Sequence, residues 1–169
     1  DQKSAAKLAL SRQLLLISGG PGTGKTHTIA RILALLQALH SKPLHIGLAA
    51  PTGKAATRLQ QAIGRAKQSI PAQLAANIPE QAQTLHRLLG FRPGADEFRF
   101  NRNNPLQLDL LVLDEASMID VVLMTALLQA LPAKTRLILL GDRNQLASVK
   151  AGSVFADLCN AGTAERTGQ

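Results

Sequence analysis

The chain has 169 residues, 46% of them hydrophobic and 18% charged, which suits one domain with a sizeable core and excludes a charge-dominated disordered chain. The net charge of +8 weakly favours an anionic partner such as a nucleotide or nucleic acid. The single cysteine, Cys159, excludes an internal disulfide and a cysteine-rich zinc site. No apolar run approaches the roughly 20 residues that span a bilayer, and no signal peptide is evident. A cytoplasmic protein with no membrane partner is expected.

Apolar runs and helical spacing predict strands and helices in alternation along the chain. Strands that are apolar throughout, separated by helices, are typical of a parallel sheet with helices on both faces, so the predicted fold class is α/β. Ligands of such sheets bind at the carboxyl ends of the strands. The predicted strands are 13–18, 44–50, 108–113 and 136–140, and the predicted helices are 25–40, 53–67 and 119–131.

The stretch 67–105 does not fit this alternation and is interpreted as an insertion on the sheet scaffold. It is rich in proline, with a short helical piece over 84–89 and alternating residues over 98–102 that suggest a small hairpin. Basic character is concentrated nearby, because 53–103 holds eight basic and three acidic residues. That segment therefore carries five of the eight net positive charges.

A glycine-rich loop follows the first predicted strand and matches the pattern G-x-x-x-x-G-K-[ST]. Its glycines let backbone N–H groups surround phosphates, and the helix that follows adds its positive end. In this pattern the lysine reaches the β- and γ-phosphates of ATP, and the threonine hydroxyl binds Mg²⁺. The loop consists of Gly19, Gly20, Pro21, Gly22, Thr23, Gly24, Lys25 and Thr26.

Acidic and amide side chains follow two later strands, at the predicted ligand edge of the sheet. Asp114 is expected to hold Mg²⁺, and Glu115 to orient and deprotonate the attacking water. The alternative is that both residues only cap the next helix. Gln145, shortly after the last strand, could hydrogen-bond the γ-phosphate or the attacking water, and the alternative is an ordinary Gly-Asp turn.

Five motifs in order resemble those of the superfamily-one DNA helicases, and in particular the alpha-chain family of exodeoxyribonuclease V. The resemblance implies a RecA-like P-loop motor domain over 1–159, with 160–169 as a tail that begins a further region. It also implies ATP-driven 5′→3′ movement along single-stranded DNA, in double-strand break repair and recombination, beside beta and gamma subunits. The motifs are GGPGTGKT, LAAPTGKAATRL, TLHRLLG, LVLDEASMID and LGDRNQLASVKAG.

The same resemblance assigns roles to further residues. Gln2 lies where the family has its adenine-reading glutamine, and Gln145 where it has its γ-phosphate sensor. His86 is assigned to DNA or nucleotide contact, although a packed histidine is an equal alternative. The family's first DNA-contact motif falls on Pro51, Thr52, Gly53 and Lys54, where Thr52 is also a good helix cap.

Family members also have a second motor domain whose arginines reach the γ-phosphate, and no motif of that kind follows Gly152. The chain is therefore expected to be half of a motor, an incomplete helicase and ATPase. Two other functions stay open: another P-loop ATPase, such as a clamp-loader-like remodeller, and a non-catalytic nucleotide-binding module.

Overall fold

A computed structural model describes residues 12–20, 24–94, 97–142 and 154–164. Its sheet has five strands in the order β1-β5-β4-β2-β3, and every neighbouring pair is parallel. The strands are β1 Leu14–Ser18, β2 Ile46–Ala50, β3 Gln83–Thr84, β4 Leu110–Leu113 and β5 Arg136–Gly141.

Helices connect the strands, as parallel pairing requires. None of the described helices is long and apolar enough to cross a membrane. The helices are α1 Lys25–Leu39, α2 Gly53–Lys67, α3 Ala72–Ala75, α4 Leu85–Leu88, α5 Val121–Ala130 and α6 Val154–Ala164, and a 3₁₀ turn lies at Ala116–Met118.

Two apolar layers cover the two faces of the sheet. On one face, α1 and α2 pack Leu33 and Ile63 against Val112. On the other face, α5 and α6 pack Leu127 and Phe155 against the flanking strand residues, such as Leu113. Because successive strand residues point to opposite faces, continuously apolar strands supply both layers. The predicted RecA-like α/β class, a parallel sheet with helices on both faces, is confirmed.

The segment 67–105 contains elements that were not predicted. β3 adds a short strand beside β2, with Ala50 opposite Thr84. No strand forms over 97–105, where one antiparallel bridge joins Asn101 to Asn104. The hairpin predicted for 98–102 is therefore wrong: the Asn101 side chain accepts from the N–H groups of 103 and 104 and closes a tight turn instead.

Two helices also differ from the sequence prediction, one in where it begins and one in that it was not predicted. The helix predicted from 119 begins at Val121, because the Asp120 side chain caps it by accepting from the Leu123 N–H at 2.7 Å. α6, which was not predicted, runs past residue 160. The domain range 1–159 and the 67–105 insertion stay predictions.

Candidate nucleotide-binding site

The carboxyl ends of three neighbouring strands meet at one edge of the sheet. β5 lies between β1 and β4, so the segment after β5 starts between the glycine loop and Asp114. The Gly19 N–H donates to the Gly141 carbonyl at 3.1 Å, and the Asp114 N–H donates to the Ala49 carbonyl at 2.9 Å. These bonds extend the parallel ladder to the residues that follow each strand, so the edge is held by backbone contacts.

The described part of the glycine loop ends in a left-handed glycine and is covered by the Lys25 side chain. Gly24 caps α1 with φ of 78°, a left-handed conformation that favours glycine. The Lys25 ammonium folds back over the loop, donating to the Gly20 carbonyl at 2.9 Å and also to the Gly19 carbonyl. Thr26, the second residue of α1, is half-buried. The lysine charge and the start of α1 are thus concentrated at this edge.

Asp114 is a half-buried carboxylate at this edge, and its surroundings shift its pKa. Burial raises its pKa above the ordinary value, and the Glu115 charge adds to the rise. The Glu115 N–H, which donates to Asp114 Oδ1 at 2.9 Å, and the Lys25 ammonium both lower the pKa and only partly offset the rise. A second positive charge placed here would favour the ionised carboxylate.

Glu115 has a backbone conformation that non-glycine residues rarely adopt. Its φ is 53°, the one positive φ found for a non-glycine residue in the part of the chain that the structure describes. Neither Glu115 nor Asp114 caps α5, since Asp120 does so. Glu115 precedes the 3₁₀ turn without making a side-chain cap bond. The simple capping interpretation of these two acids therefore does not hold for α5.

The structure brings the predicted DNA-contact residues to the same edge, further along the sheet. Thr52 caps α2, its Oγ1 accepting from the Ala55 N–H at 3.2 Å. Thr52, Gly53 and Lys54 are exposed, and Pro51 is half-buried. Capping is thus a demonstrated role of Thr52, and it leaves the start of the helix open to solvent.

His86 lies beside this helix start, because Thr84 at the end of β3 pairs with Ala50 at the end of β2. Its ring meets Phe91 edge-on at a centroid distance of 5.8 Å and Phe98 at 6.1 Å. His86 is nevertheless exposed. His86 thus packs against two phenylalanine rings and is also accessible to solvent. Its role in binding stays a prediction.

Five predicted site residues lie outside the described part of the chain: Gln2, Pro21, Gly22, Thr23 and Gln145. Sequence reasoning missed Asp142, whose carboxylate lies near Gly20, 3.9 Å from the point where a β-carbon there would sit. It also missed an exposed basic face of α2, although its spacing of four and seven residues was a readable signal.

The fold and this edge define a P-loop nucleotide-binding domain. Residues 2–151 match the family described as "AAA domain", and the chain belongs to this family. It is similar to the RecBCD enzyme subunit RecD of Haemophilus influenzae, with 51% identity over 93% of this chain and 26% of that protein. It is also 39% identical to the ATP-dependent RecD2 DNA helicase of Deinococcus radiodurans, over 95% of this chain and 20% of that protein. The chain thus spans between a fifth and about a quarter of the length of these relatives, and the predicted resemblance to a RecD-like first motor domain is confirmed.

Solved structures support the fold at lower identity. A structure of two coordinating Pif1 helicases at forked double-stranded DNA aligns with a TM-score of 0.52 and 20% identity, over 94% of this chain and 37% of that one. The HK97 bacteriophage large terminase aligns with a TM-score of 0.58 and 17% identity, over 97% and 36%. Because both are distant, they establish the fold alone.

Proposed function

We propose that this chain is the ATP-binding and ATP-hydrolysing motor domain of a RecD-like 5′→3′ DNA helicase. The observation that carries the proposal is the edge where β1, β5 and β4 end together, with Lys25 on one side and Asp114 and Glu115 on the other. A base, a buried carboxylate and a phosphate loop at one edge suit hydrolysis of ATP by water.

The residues present fit a magnesium ion. Mg²⁺ is typically held by one or two carboxylates together with substrate phosphates. The described residues contain no group of three or more His, Cys, Asp and Glu side chains that could hold a metal on their own. Asp114, whose ionised form is disfavoured by burial, and the Thr26 hydroxyl would hold the ion. Bound there, Mg²⁺ would neutralise charge on the phosphates.

The chain's own residues have separate tasks in this mechanism. The glycine-loop N–H groups and the Lys25 ammonium bind and orient the phosphates of ATP. To do so, Lys25 exchanges its contacts with the loop carbonyls for contacts with phosphate oxygens. Glu115 accepts a proton from the attacking water, whose oxygen bonds to the γ-phosphorus while the bond from that phosphorus to the β–γ bridging oxygen breaks and ADP leaves.

Gln145 and Gln2 are proposed as the γ-phosphate sensor and the adenine-reading residue. Support for Gln145 comes from chain connectivity, since it is three residues from Asp142. A span of three residues reaches at most about 10 Å. Because β5 ends between β1 and β4, Asp142 lies at the candidate edge, and this short span is what supports Gln145 as a site residue. Gln2 rests on the family resemblance alone.

Single-stranded DNA is the proposed polymer on which the motor moves. Pro51, Thr52, Gly53 and Lys54 would contact its backbone at the exposed start of α2, where unpaired N–H groups favour phosphate, and His86 would contact it nearby. Similarity to RecD supports three further parts of the proposal. They are a role in double-strand break repair and recombination, partner subunits like those of RecBCD, and a cytoplasmic location. The domain range 1–159 and the tail 160–169 are also part of the proposal.

ATP hydrolysis with and without single-stranded DNA tests the proposal. We expect the polypeptide that contains this chain to hydrolyse ATP faster when single-stranded DNA is added. The 169-residue chain should bind ATP but hydrolyse it slowly. It should unwind no DNA, because unwinding needs one motor domain to hold the DNA while a second one advances. DNA-independent hydrolysis in both would favour another kind of P-loop ATPase.

A further inference from the structure

One side of α2 presents a line of exposed basic residues. Lys54, Arg58 and Arg65 are all exposed and lie within about 40° of one another around the helix axis, at 3.6 residues per turn. The buried residues Leu59 and Ile63 lie on the opposite side. We call Lys54, Arg58 and Arg65 the basic stripe.

Within the described ranges, no acidic side chain pairs with this stripe. α2 contains no aspartate or glutamate. Lys67, on another side of the helix, is paired with Glu80 at 2.8 Å, and among the described residues no ion pair involves Lys54, Arg58 or Arg65. In the part of the chain that the structure describes, the stripe is therefore a positive surface without an ion-pair partner, in contrast to Lys67.

The placement of Lys54 and Arg58 is unfavourable for the helix itself, whereas Arg65 lies in the last turn, where the helix dipole favours a cation. Lys54 lies in the first turn, where the helix dipole disfavours a cation. Lys54 and Arg58 are like charges four residues apart, a spacing that destabilises a helix by about 0.2–0.5 kcal/mol. An anionic ligand along the stripe would remove both penalties, so the pattern is better explained by a partner than by the stability of α2.

The stripe leads away from the Thr52 helix start and ends at a surface cavity whose lining is mostly apolar. It spans about 16 Å, from the rise of 1.5 Å per residue. Arg65 lines a cavity of about 480 Å³ together with Thr26, Gln68 and Ser69. The described aromatic residues are on other elements, so the stripe offers charge and no ring on which a base could stack.

We propose that the basic stripe holds successive phosphates of single-stranded DNA, extending the contact that begins at Thr52 along the length of α2. The inference rests on the proposed function, because it takes its ligand from it, but it adds Arg58 and Arg65 as binding residues. The contact is with the phosphate backbone, so it is salt-dependent and insensitive to base sequence.

The test compares two double variants with the same change in net charge. Arg58→Gln/Arg65→Gln removes two charges of the stripe, whereas Lys42→Gln/Lys134→Gln removes two exposed charges just before β2 and β5, at the opposite edge of the sheet. Binding of mixed-sequence single-stranded DNA is measured by fluorescence anisotropy from about 50 to 200 mM salt, a range that reveals phosphate contacts. Circular dichroism checks that each variant folds.

Each phosphate contact contributes about 0.7 to the slope of log affinity against log salt for a single strand. We expect the stripe variant to lose roughly 1.4 from this slope, so that wild type loses about sevenfold more affinity across the range. The control should keep the wild-type slope.

Equal slopes for both double variants, or a stripe variant with the wild-type slope, would overturn the inference while leaving the proposed function intact. If wild type binds no single-stranded DNA, both fail. The same salt titration is run with duplex DNA. A larger loss of slope for the stripe variant on duplex DNA than on single-stranded DNA would contradict the single-strand assignment.

Discussion

The Gly19 N–H donates a 3.1 Å hydrogen bond to the carbonyl oxygen of Gly141. This contact joins the start of the glycine loop to the end of β5, the strand that separates β1 from β4. Whatever follows Gly141 in sequence therefore begins beside the phosphate loop.

Lys25→Ala should remove most of the affinity for Mg-ATP. The Lys25 ammonium is the side-chain charge that lies over the glycine loop in the described structure. A hydrogen bond to a charged group is worth about 1.5–3 kcal/mol, or roughly ten- to a hundredfold in binding. Titration with a fluorescent ATP analogue measures the change, with Lys42→Ala as the control. Equal dissociation constants for Lys25→Ala and wild type would refute the assignment.

Asp114→Asn should stabilise the chain without nucleotide at neutral pH. Because burial raises the pKa of Asp114, the folded state holds its proton more tightly than the unfolded state. The free energy of unfolding therefore falls as pH rises from the ordinary carboxyl pKa of 3.8 through the raised value. Asn keeps an oxygen for the Glu115 N–H and does not titrate. Thermal unfolding should show a gain at pH 7 that shrinks toward pH 3.

That pH dependence also has a clear contrary result. A stability difference between Asp114→Asn and wild type that is constant from pH 3 to 7 would exclude a raised pKa as its cause. Mg-ATP should reverse the order at pH 7, because the ion favours the ionised Asp114 that the variant lacks.

Glu115→Gly should be more stable than Glu115→Ala by about 1 kcal/mol. The φ of 53° costs a residue with a β-carbon about 1–2 kcal/mol, part of which glycine loses again through its more flexible unfolded chain. Urea unfolding of the two variants measures the difference. If Glu115→Ala is the more stable, the left-handed conformation is not the one that the protein adopts.

Gly141→Ala should destabilise the fold by about 1–3 kcal/mol, the usual cost of overpacking. A β-carbon at Gly141 would lie 2.8 Å from Phe155 Cε1, and Phe155 is fully buried. A second change, Phe155→Leu, should recover part of the loss when combined with Gly141→Ala. Additive effects in the double variant would show that the two residues do not meet.

The sequence was sufficient for the long elements and for the ligand edge. β4 and β5 are continuous apolar runs, and α2 keeps its predicted bounds because Thr52 caps it. β3 was missed because Gln83 and Thr84 carry no apolar pattern, and their strand exists only through pairing with β2. The hairpin predicted over 98–102 is reduced to a single bridge, in which Asn101 and Asn104 exchange two backbone hydrogen bonds and the Asn101 side chain adds bonds to the same tight turn.

The residues of the candidate site could be proposed from sequence motifs, whereas the pKa of Asp114 and the backbone conformation of Glu115 could not. Motif spacing identified Lys25, Asp114 and Glu115, since a phosphate loop and an acidic strand end have fixed chemistry. The raised pKa of Asp114 and the left-handed Glu115 depend on burial and on the turn into Ala116–Met118. Both arise from tertiary packing, which no local pattern reports.

The central claim, that this edge hydrolyses ATP to drive movement on DNA, is tested most directly by Glu115→Gln in the polypeptide that contains this chain. The measurement is the ATP turnover number with saturating single-stranded DNA, next to ATP affinity by titration. We expect turnover to fall by about 10²–10⁴, the range for removal of a general base, with affinity within a few-fold of wild type. Wild-type turnover in Glu115→Gln would contradict the account.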